Sequence, residues 1–248
     1  MAQIPVKKET LANKRLKPLN GYGFLAKFPI CEVVVGELSV AATNWPIFFI
    51  EREGRYAAVA ILSLLEGECV FVEADGRWSG NYLPAAFRRY PFSVVEGIVD
   101  GKPGPVLMVE EDALSDSEGE MLFAAEEKDE PNSPLGRVLR LIAETDRSNS
   151  ATRALVAELS DADLIRPADL TVELEPGQKH SIGGLFGIDE QKLQDLPDDK
   201  FLKLRHSGAL TIAHVQLQSV GQVQRLIMRH RAREEAKRSG TPPKPPVD

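Results

Sequence analysis

Alternating apolar and polar residues dominate roughly the first 110 residues of the chain. Two apolar runs flank a charged turn at Gly54, a second pair flanks Asp75-Gly76, and a third pair has glycines at Gly101 and Gly104. Short alternating segments separated by glycine turns are typical of β-hairpins, because glycine readily adopts the positive φ angles that tight turns need. We therefore expect an antiparallel β meander or a partly open barrel in the N-terminal half.

A helical spacing of apolar residues replaces this alternation after residue 133. Ser133 is followed by Pro134, a pair that suits the N-cap and the first position of a helix. Apolar residues then recur every three or four positions, which predicts a second helix, or a continuation of the first, that ends before Pro167.

The last third of the chain mixes strand and helix signals. A short strand with a turn at Pro176-Gly177 is predicted, followed by a small helix that Asp189 caps. Residues 201–220 are interpreted as a further hairpin that turns at Ser207-Gly208, and residues 220–239 as a final helix. Antiparallel strands with segregated helices define the α+β class.

Composition suggests a simple domain organisation. We expect a flexible N-terminal arm over residues 1–20, a single α+β domain over 21–235 and a disordered, proline-rich tail over 236–248. Within the domain, residues 110–130 hold ten acidic residues and one lysine. This composition predicts an acidic loop over 110–133, since its spacing does not match a calcium-binding loop.

Charge and hydropathy exclude several classes of protein. The formal net charge of −7 over 248 residues argues against a nucleic-acid-binding face. No apolar run reaches the 18 residues that suggest a transmembrane helix. The N-terminal residues lack the apolar core of a secretory signal. A cytoplasmic location is therefore expected, and export without a cleaved signal is the alternative.

Motifs of catalysis and of metal or cofactor binding are lacking in the sequence. Cys31 and Cys69 lie in apolar runs, which predicts two buried and unreactive thiols. The glycines of residues 183–187 lack the spacing of a phosphate-binding loop. The histidines accompany no zinc-binding motif; they are His180, His206, His214 and His230. We therefore expect no catalytic residue, no metal and no cofactor.

The stretch "GRWSGNYLPAAFRRYPF" is the densest concentration of aromatic residues and arginine in the chain. These residue types are enriched where binding energy concentrates, and arginine presents a planar fork that suits carboxylates. One interpretation is a surface that binds a protein partner or a small acidic ligand, with an aromatic pocket to which Phe92 also contributes. The other is the crowded corner of an ordinary core, in which Pro84 and Pro91 stiffen a turn, the aromatic residues fill the core beneath it and one arginine pairs with a buried acid. The candidate binding residues are Trp78, Tyr82, Phe87, Arg88, Arg89 and Tyr90.

The final helix is basic. Its residues 225–238 hold six lysines and arginines and two glutamates. Such a helix suits weak contact with an anionic surface or an acidic partner. A solvated helix end whose positive charges match the helix dipole is the alternative.

Several segments together resemble the bacterial SapC family. The resemblance rests on "FFIEREGRYAAVAILSLLEGECVFV" and "YLPAAFRRYPF", and later on "LIRPADLTVEL", "GLFGIDEQKLQDL" and "LRHSGALTIAHVQLQSVGQVQRL". It covers residues 20–230. The family is named for genes associated with a bacterial surface layer and its export apparatus. The family has no settled catalytic residues or cofactor, so the resemblance carries no active site over to this chain.

Three functional hypotheses follow from these observations. The first is a non-enzymatic binding or accessory protein, linked to surface-layer or export functions, that uses the aromatic and arginine surface of residues 78–92. The second is an enzyme, or the partner of an enzyme, that binds a small acidic ligand in a pocket beneath that stretch. The third is a structural subunit of a surface array, which requires oligomerisation.

Overall fold

A computed structural model of the chain describes residues 2–99 and 101–239. The β-strands are β1 (Gln3–Pro5), β2 (Arg15–Leu16), β3 (Ile30–Glu32), β4 (Ile47–Arg52), β5 (Arg55–Ile61), β6 (Phe92–Val99), β7 (Lys102–Glu110), β8 (Leu114–Ser115), β9 (Glu120–Met121), β10 (Ile165–Pro167), β11 (Leu170–Glu175), β12 (Gln178–Ile182) and β13 (Leu185–Ile188). The α-helices are α1 (Lys8–Leu11), α2 (Leu38–Asn44), α3 (Ala85–Arg88), α4 (Pro134–Asp161), α5 (Glu190–Gln194), α6 (Asp198–Ser207), α7 (Ala209–Ser219) and α8 (Gln222–Ser239).

Antiparallel strand pairs and separate helices make the fold α+β, as the sequence predicted. Contacts divide the chain into two units. The smaller unit, which we call the arm unit, comprises residues 1–20 and 87–146; the larger, which we call the sheet unit, comprises 21–86 and 147–248. Residues 3–5, which lie within the predicted N-terminal arm, form β1 and pair with residues 108–110 of β7 in the arm unit. Of the tail predicted over 236–248, residues 240–248 lie outside the described residues.

A five-stranded antiparallel sheet is the centre of the sheet unit. Its order is β10-β13-β4-β5-β3, so that two strands from late in the sequence complete a sheet begun by three early ones. The hairpin of β4 and β5 turns at Glu53 and Gly54, both with positive φ, which confirms the turn predicted at Gly54. The predicted meander is thus extended by strands of the C-terminal half, and the strands of residues 2–99 and 101–239 form no closed barrel.

Two buried side chains of α7 bind the backbone of this sheet. The amide of Gln216 accepts a hydrogen bond from the N–H of Ile188 in β13 at 3.0 Å and donates one to the carbonyl of Ile47 in β4 at 3.0 Å. The hydroxyl of Ser219 accepts one from the N–H of Ile47 at 2.9 Å. These bonds attach α7 to two adjacent strands and satisfy backbone groups that would otherwise be buried without a partner.

The arm unit has its own sheet and core. Strands β1, β7 and β6 form an antiparallel sheet in that order, and the short strands β8, β2 and β9 form a second one. Residues 110–130, predicted as an acidic loop, therefore include two short strands and 3-10 turns. Ser133 caps α4 by accepting a hydrogen bond from the N–H of Gly136 at 3.0 Å, which confirms the predicted helix start. The core consists of Leu11, Phe92, Val109, Leu114, Leu122, Phe123, Leu135 and Val138.

The prediction of a hairpin over residues 201–220 is wrong, because the segment forms the helices α6 and α7. Gly208, at φ 93°, ends α6 and donates a hydrogen bond to the carbonyl of Leu204 at 3.2 Å. A glycine in this left-handed conformation is a common helix C-cap. The buried residues Ala209, Ile212 and Gln216 recur at helical spacing. His206 therefore lies on α6 and His214 on α7.

The second predicted hairpin is reduced to a tight loop. The chain turns at Asp75-Gly76, but only Val72 and Trp78 pair, as an isolated bridge. After this bridge, the indole N–H of Trp78 donates a hydrogen bond to the carbonyl of Tyr82 at 2.8 Å. In the third hairpin, Gly101 lies at the turn, whereas Gly104 lies inside β7.

The buried amide of Gln216 gives a test of this fold. Replacing Gln216 by Leu leaves the N–H of Ile188 and the carbonyl of Ile47 unsatisfied, and we expect the free energy of unfolding to fall by about 2–4 kcal/mol. Urea denaturation followed by circular dichroism measures the change. The matched control is Gln218→Leu on the exposed face of the same helix, which we expect to change stability by less than about 0.5 kcal/mol. Equal losses in the two variants would contradict the assignment.

Candidate functional site

The aromatic and arginine stretch is divided between the two units. Trp78 and Tyr82 belong to the sheet unit, whereas residues 87–90 belong to the arm unit.

Trp78 and Tyr82 pack in an aromatic cluster. The ring of Trp78 stacks on that of Phe71 with centroids 5.6 Å apart. The ring of Trp45 packs edge-on against both, with centroid distances of 6.4 Å to Trp78 and 6.0 Å to Phe71. The ring centroid of Tyr82 lies 6.0 Å from that of Trp45. Because Trp45 and Phe71 are almost fully buried, this cluster contributes to the core of the sheet unit.

A buried carboxylate, which the sequence analysis did not single out, holds Tyr82 in place. Glu37 accepts hydrogen bonds from the hydroxyl of Tyr82 at 3.0 Å, from the N–H of Ala85 at 2.8 Å and from the N–H of Val34 at 3.3 Å. Three donors compensate for removing a carboxylate from water. The signal in the sequence was a single acid within the apolar run around Glu37.

An arginine of α8 contacts the aromatic cluster. The guanidinium of Arg229 lies 4.5 Å from the centroid of Phe71 and donates to the hydroxyl and the carbonyl of Ser79, both at 3.1 Å. Arg88 and Arg89, which the sequence predicted for this role, are exposed residues of the arm unit.

Phe87 and Tyr90 are half-buried in the arm unit. Burial raises the pKa of the Tyr90 hydroxyl above its ordinary value, and the carboxylates of Glu110 and Asp112 raise it further. Tyr90 therefore remains a neutral hydrogen-bonding group and not an anion at ordinary pH.

Most cations of the basic helix bind groups of the sheet unit. Arg231 donates to the carbonyls of Leu174 and Glu173 at 2.9 and 2.8 Å, and Arg233 donates to the carbonyl of Cys69 at 2.9 Å. Further along the helix, Lys237 pairs with Glu234 and Arg238 with Glu175. These contacts favour an intramolecular role for the helix over contact with an anionic surface.

The two cysteines are buried free thiols, as predicted. Burial raises the pKa of Cys69 to about 11. The thiolate, which is the reactive form, is therefore scarce at neutral pH.

A buried histidine, an acid and a serine meet where α8 packs on residues 62–70. Nδ1 of His230 lies 3.2 Å from a carboxylate oxygen of Glu68, and the hydroxyl of Ser63 lies 3.3 Å from both Nε2 of His230 and that oxygen. The set contains the residue types of a nucleophile, a base and an orienting acid. The N–H of Leu64, however, donates to Nε2 of His230 at 2.8 Å.

This backbone bond fixes the state of the imidazole. An Nε2 that accepts the N–H of Leu64 has no proton, so the neutral ring carries its proton on Nδ1, towards Glu68. Burial lowers the pKa of His230 below its ordinary value, and the nearby carboxylate of Glu68 only partly offsets this effect. The lone pair that a general base would use is already occupied.

The sequence did not predict this cluster, because residues 225–238 were interpreted either as a contact for an anionic surface or acidic partner or as a solvated helix end. The signal was present in the spacing: His230 lies four and three residues after the buried Leu226 and Ile227, on the same helix face. A histidine on the apolar face of a charged helix indicates a buried polar contact.

Beside His230, a cleft of about 670 Å³ opens between α8 and the hairpin of β11 and β12. We call it the α8 cleft. Apolar side chains and charged side chains of both signs line it: Leu65, Leu174, Glu175, Pro176, Gln178, His180, His230, Arg231, Glu234, Glu235 and Arg238. Its volume is in the range of ligand-binding pockets.

Within residues 2–99 and 101–239, no three His, Cys, Asp or Glu residues are grouped in a way that could hold a metal ion. In the same residues, no helix has the length and hydropathy needed to cross a membrane.

The contacts thus define an α+β protein with a buried Ser-His-Glu cluster beside a cleft of mixed charge. Comparison with protein families then gives its family: the sequence model of the SapC family matches residues 6–226, so the chain belongs to the SapC family. The predicted resemblance is confirmed. Neither the curated proteins nor the solved structures include a match to this sequence.

The neutral state of His230 predicts a dependence of stability on pH. The unfolded chain takes up a proton near the ordinary pKa of 6.5, whereas the folded imidazole does so only at lower pH. The free energy of unfolding is therefore highest above pH 6.5 and falls below it, by at most about 1.4 kcal/mol per pH unit for one proton.

Urea midpoints between pH 7.5 and pH 5.5 measure this slope. His230→Gln should unfold at lower urea and with a flatter pH dependence. The control is His206→Gln at an exposed position of α6, which should keep the wild-type slope. The same slope in His230→Gln and in the wild type would exclude His230 as its source.

Proposed function

We propose that this SapC-family protein is a non-enzymatic accessory protein that binds a segment of a partner protein in the α8 cleft. It acts inside the cell, in the surface-layer or export functions with which genes of the family are associated. The observation that carries the proposal is the cleft itself, since it is a preformed concave surface with both apolar and charged side chains.

The charges of the cleft favour a partner with basic residues. Both arginines of the cleft have partners: Arg231 binds two backbone carbonyls, and Arg238 pairs with Glu175. Glu235 is exposed and has no ion pair among the described residues. Among the carboxylates and guanidinium groups of the lining, three negative charges stand against two positive ones. A small acidic ligand, one of the predicted partners, is therefore less suited to this cleft.

The internal contacts of Trp78 and Tyr82 also favour the cleft over residues 78–92. Trp78 stacks on Phe71 and bonds the carbonyl of Tyr82, and the hydroxyl of Tyr82 bonds Glu37. Side chains that already pack and bond within the unit contribute less to an outside partner than side chains aimed into an open cleft.

An enzyme is the second candidate, and the Ser63, His230 and Glu68 cluster is the observation in its favour. Two features weigh against it. Ser63 is 3% exposed, and its hydroxyl already accepts a hydrogen bond from the N–H of Leu65 at 3.1 Å. His230 accepts the N–H of Leu64 and cannot take the serine proton without losing that bond.

Site-specific crosslinking tests the binding role. A photoreactive benzoylphenylalanine in place of Gln178, in the cleft, should form a discrete adduct with one protein in cells of the source bacterium. The same group in place of the exposed Phe201 on α6 should not. Reversing the free charge with Glu235→Lys should lower the adduct yield about fivefold to tenfold.

The double variant Arg88→Ala/Arg89→Ala separates the cleft from the predicted arginine surface. An adduct retained in this variant and lost in Glu235→Lys supports the cleft. An adduct that is lost in Arg88→Ala/Arg89→Ala and retained in Glu235→Lys would instead move the binding site to residues 78–92. If the crosslinker at residue 178 gives no adduct, or the same adducts as at residue 201, the proposed function is wrong.

Labelling with an alkyl fluorophosphonate tests the enzymatic alternative. This reagent modifies serines that a neighbouring base activates. We expect no modification of Ser63 in the folded protein after hours at neutral pH, as measured by mass spectrometry of the intact chain and its peptides. A stoichiometric adduct on Ser63 that His230→Gln abolishes would establish a nucleophile and overturn the non-enzymatic assignment.

A further inference from the structure

Strand β6 lies at the edge of the sheet β1-β7-β6, and no described residue pairs with its outer side. It runs without a register shift against β7 over eight residue pairs. An open strand edge is a template for pairing with another chain unless the protein protects it.

The neighbouring strands show which backbone groups face outward. The N–H of Val6 donates to the carbonyl of Leu107 at 2.9 Å, on the side of β7 away from β6. Because this direction alternates along an antiparallel strand, residues 103, 105 and 107 of β7 face away from β6. Their partners in the register are Ile98, Glu96 and Val94. The N–H and C=O groups of these three β6 residues therefore point to the open edge.

The two edges of this hairpin are treated differently in the sequence. On the outer side of β7, residues 103 and 105 are prolines, which have no N–H and block the addition of a strand. On the outer side of β6, none of the three residues is a proline. The chain thus protects the edge of β7 and leaves the edge of β6 able to pair.

The side chains of β6 are also exposed, on both faces of the strand. Val94 is 38%, Val95 40% and Ile98 71% exposed. Val94 and Ile98 lie on one face and Val95 on the other, with Glu96 as the single charged residue of the strand. An added strand would cover these β-branched side chains.

The charge of Glu96 argues against a second copy of the same chain. A two-fold antiparallel pair that uses Val94, Glu96 and Ile98 has its axis at Glu96, so the two carboxylates lie directly opposite, which is destabilising. A shift of the register towards Phe92 would need the N–H of Phe92, which already donates to the carbonyl of Arg89 at 2.8 Å. A shift of the register towards the C-terminal end of β6 places Val94 opposite a residue of the second copy that lies beyond the end of its β6. The occupant should instead carry a cation at this point.

We propose that the edge of β6 adds an extended segment of a partner protein as an antiparallel strand, with a lysine or arginine opposite Glu96 and apolar residues opposite Val94 and Ile98. Backbone hydrogen bonds supply affinity in this mode and the side chains supply specificity. The site belongs to the arm unit and is independent of the α8 cleft.

A pair of short peptides tests the proposal with the full-length protein. The probe is Thr-Val-Thr-Lys-Val-Val-Thr with blocked ends, and the matched peptide has Glu in place of Lys. Titration followed by amide NMR should shift the resonances of Val94, Glu96 and Ile98, with about threefold to tenfold tighter binding of the lysine peptide. Glu96→Lys should reverse this preference.

Two variants at one position separate the backbone from the side chain. Ile98→Pro removes an outward N–H and should abolish binding, whereas Ile98→Thr keeps it and should retain binding at reduced strength. Circular dichroism checks that both variants are folded. The proposal is overturned if neither peptide shifts these resonances at millimolar concentration, or if Glu96→Lys leaves the preference unchanged. It is also overturned if sedimentation shows a dimer that Ile98→Pro abolishes, since a second copy then occupies the edge.

Discussion

Much of the sheet unit depends on one constraint: backbone polar groups buried at the ends of strands and in loops need partners, and side chains of the last two helices provide them. Gln216 satisfies β13 and β4. His230 accepts the N–H of Leu64, and Arg233 binds the carbonyl of Cys69. Strands and loops from the first third of the chain therefore reach their final arrangement only with residues more than 150 positions later.

Local signals in the sequence predicted those elements that depend on local contacts. The turn at Gly54, the helix start at Ser133 and the small helix capped by Asp189 all involve residues within a few positions of one another. The Ser207-Gly208 pair was ambiguous, because glycine in a left-handed conformation serves both hairpin turns and helix ends. Apolar spacing, and not the turn residue, carried the information there.

The candidate site was harder to predict, because contacts between distant residues create it. Residues 78–92 were chosen for their composition, which gives no sign of the contact between Phe71 and the distant Arg229. Likewise, nothing near Ser63 and Glu68 in the sequence indicates His230 as their neighbour. Single-residue signals such as an acid at Glu37 within an apolar run can mark a buried polar group, but they do not name its partners.

The way in which Arg231 holds one wall of the α8 cleft has a consequence for how this protein can vary. The guanidinium binds the main-chain carbonyls of Leu174 and Glu173, which every amino acid at those positions would present. The attachment of the hairpin is thus separate from the side chains that it displays. Mutations of the hairpin can therefore change the side chains that line the cleft while the position of the hairpin against α8 is kept.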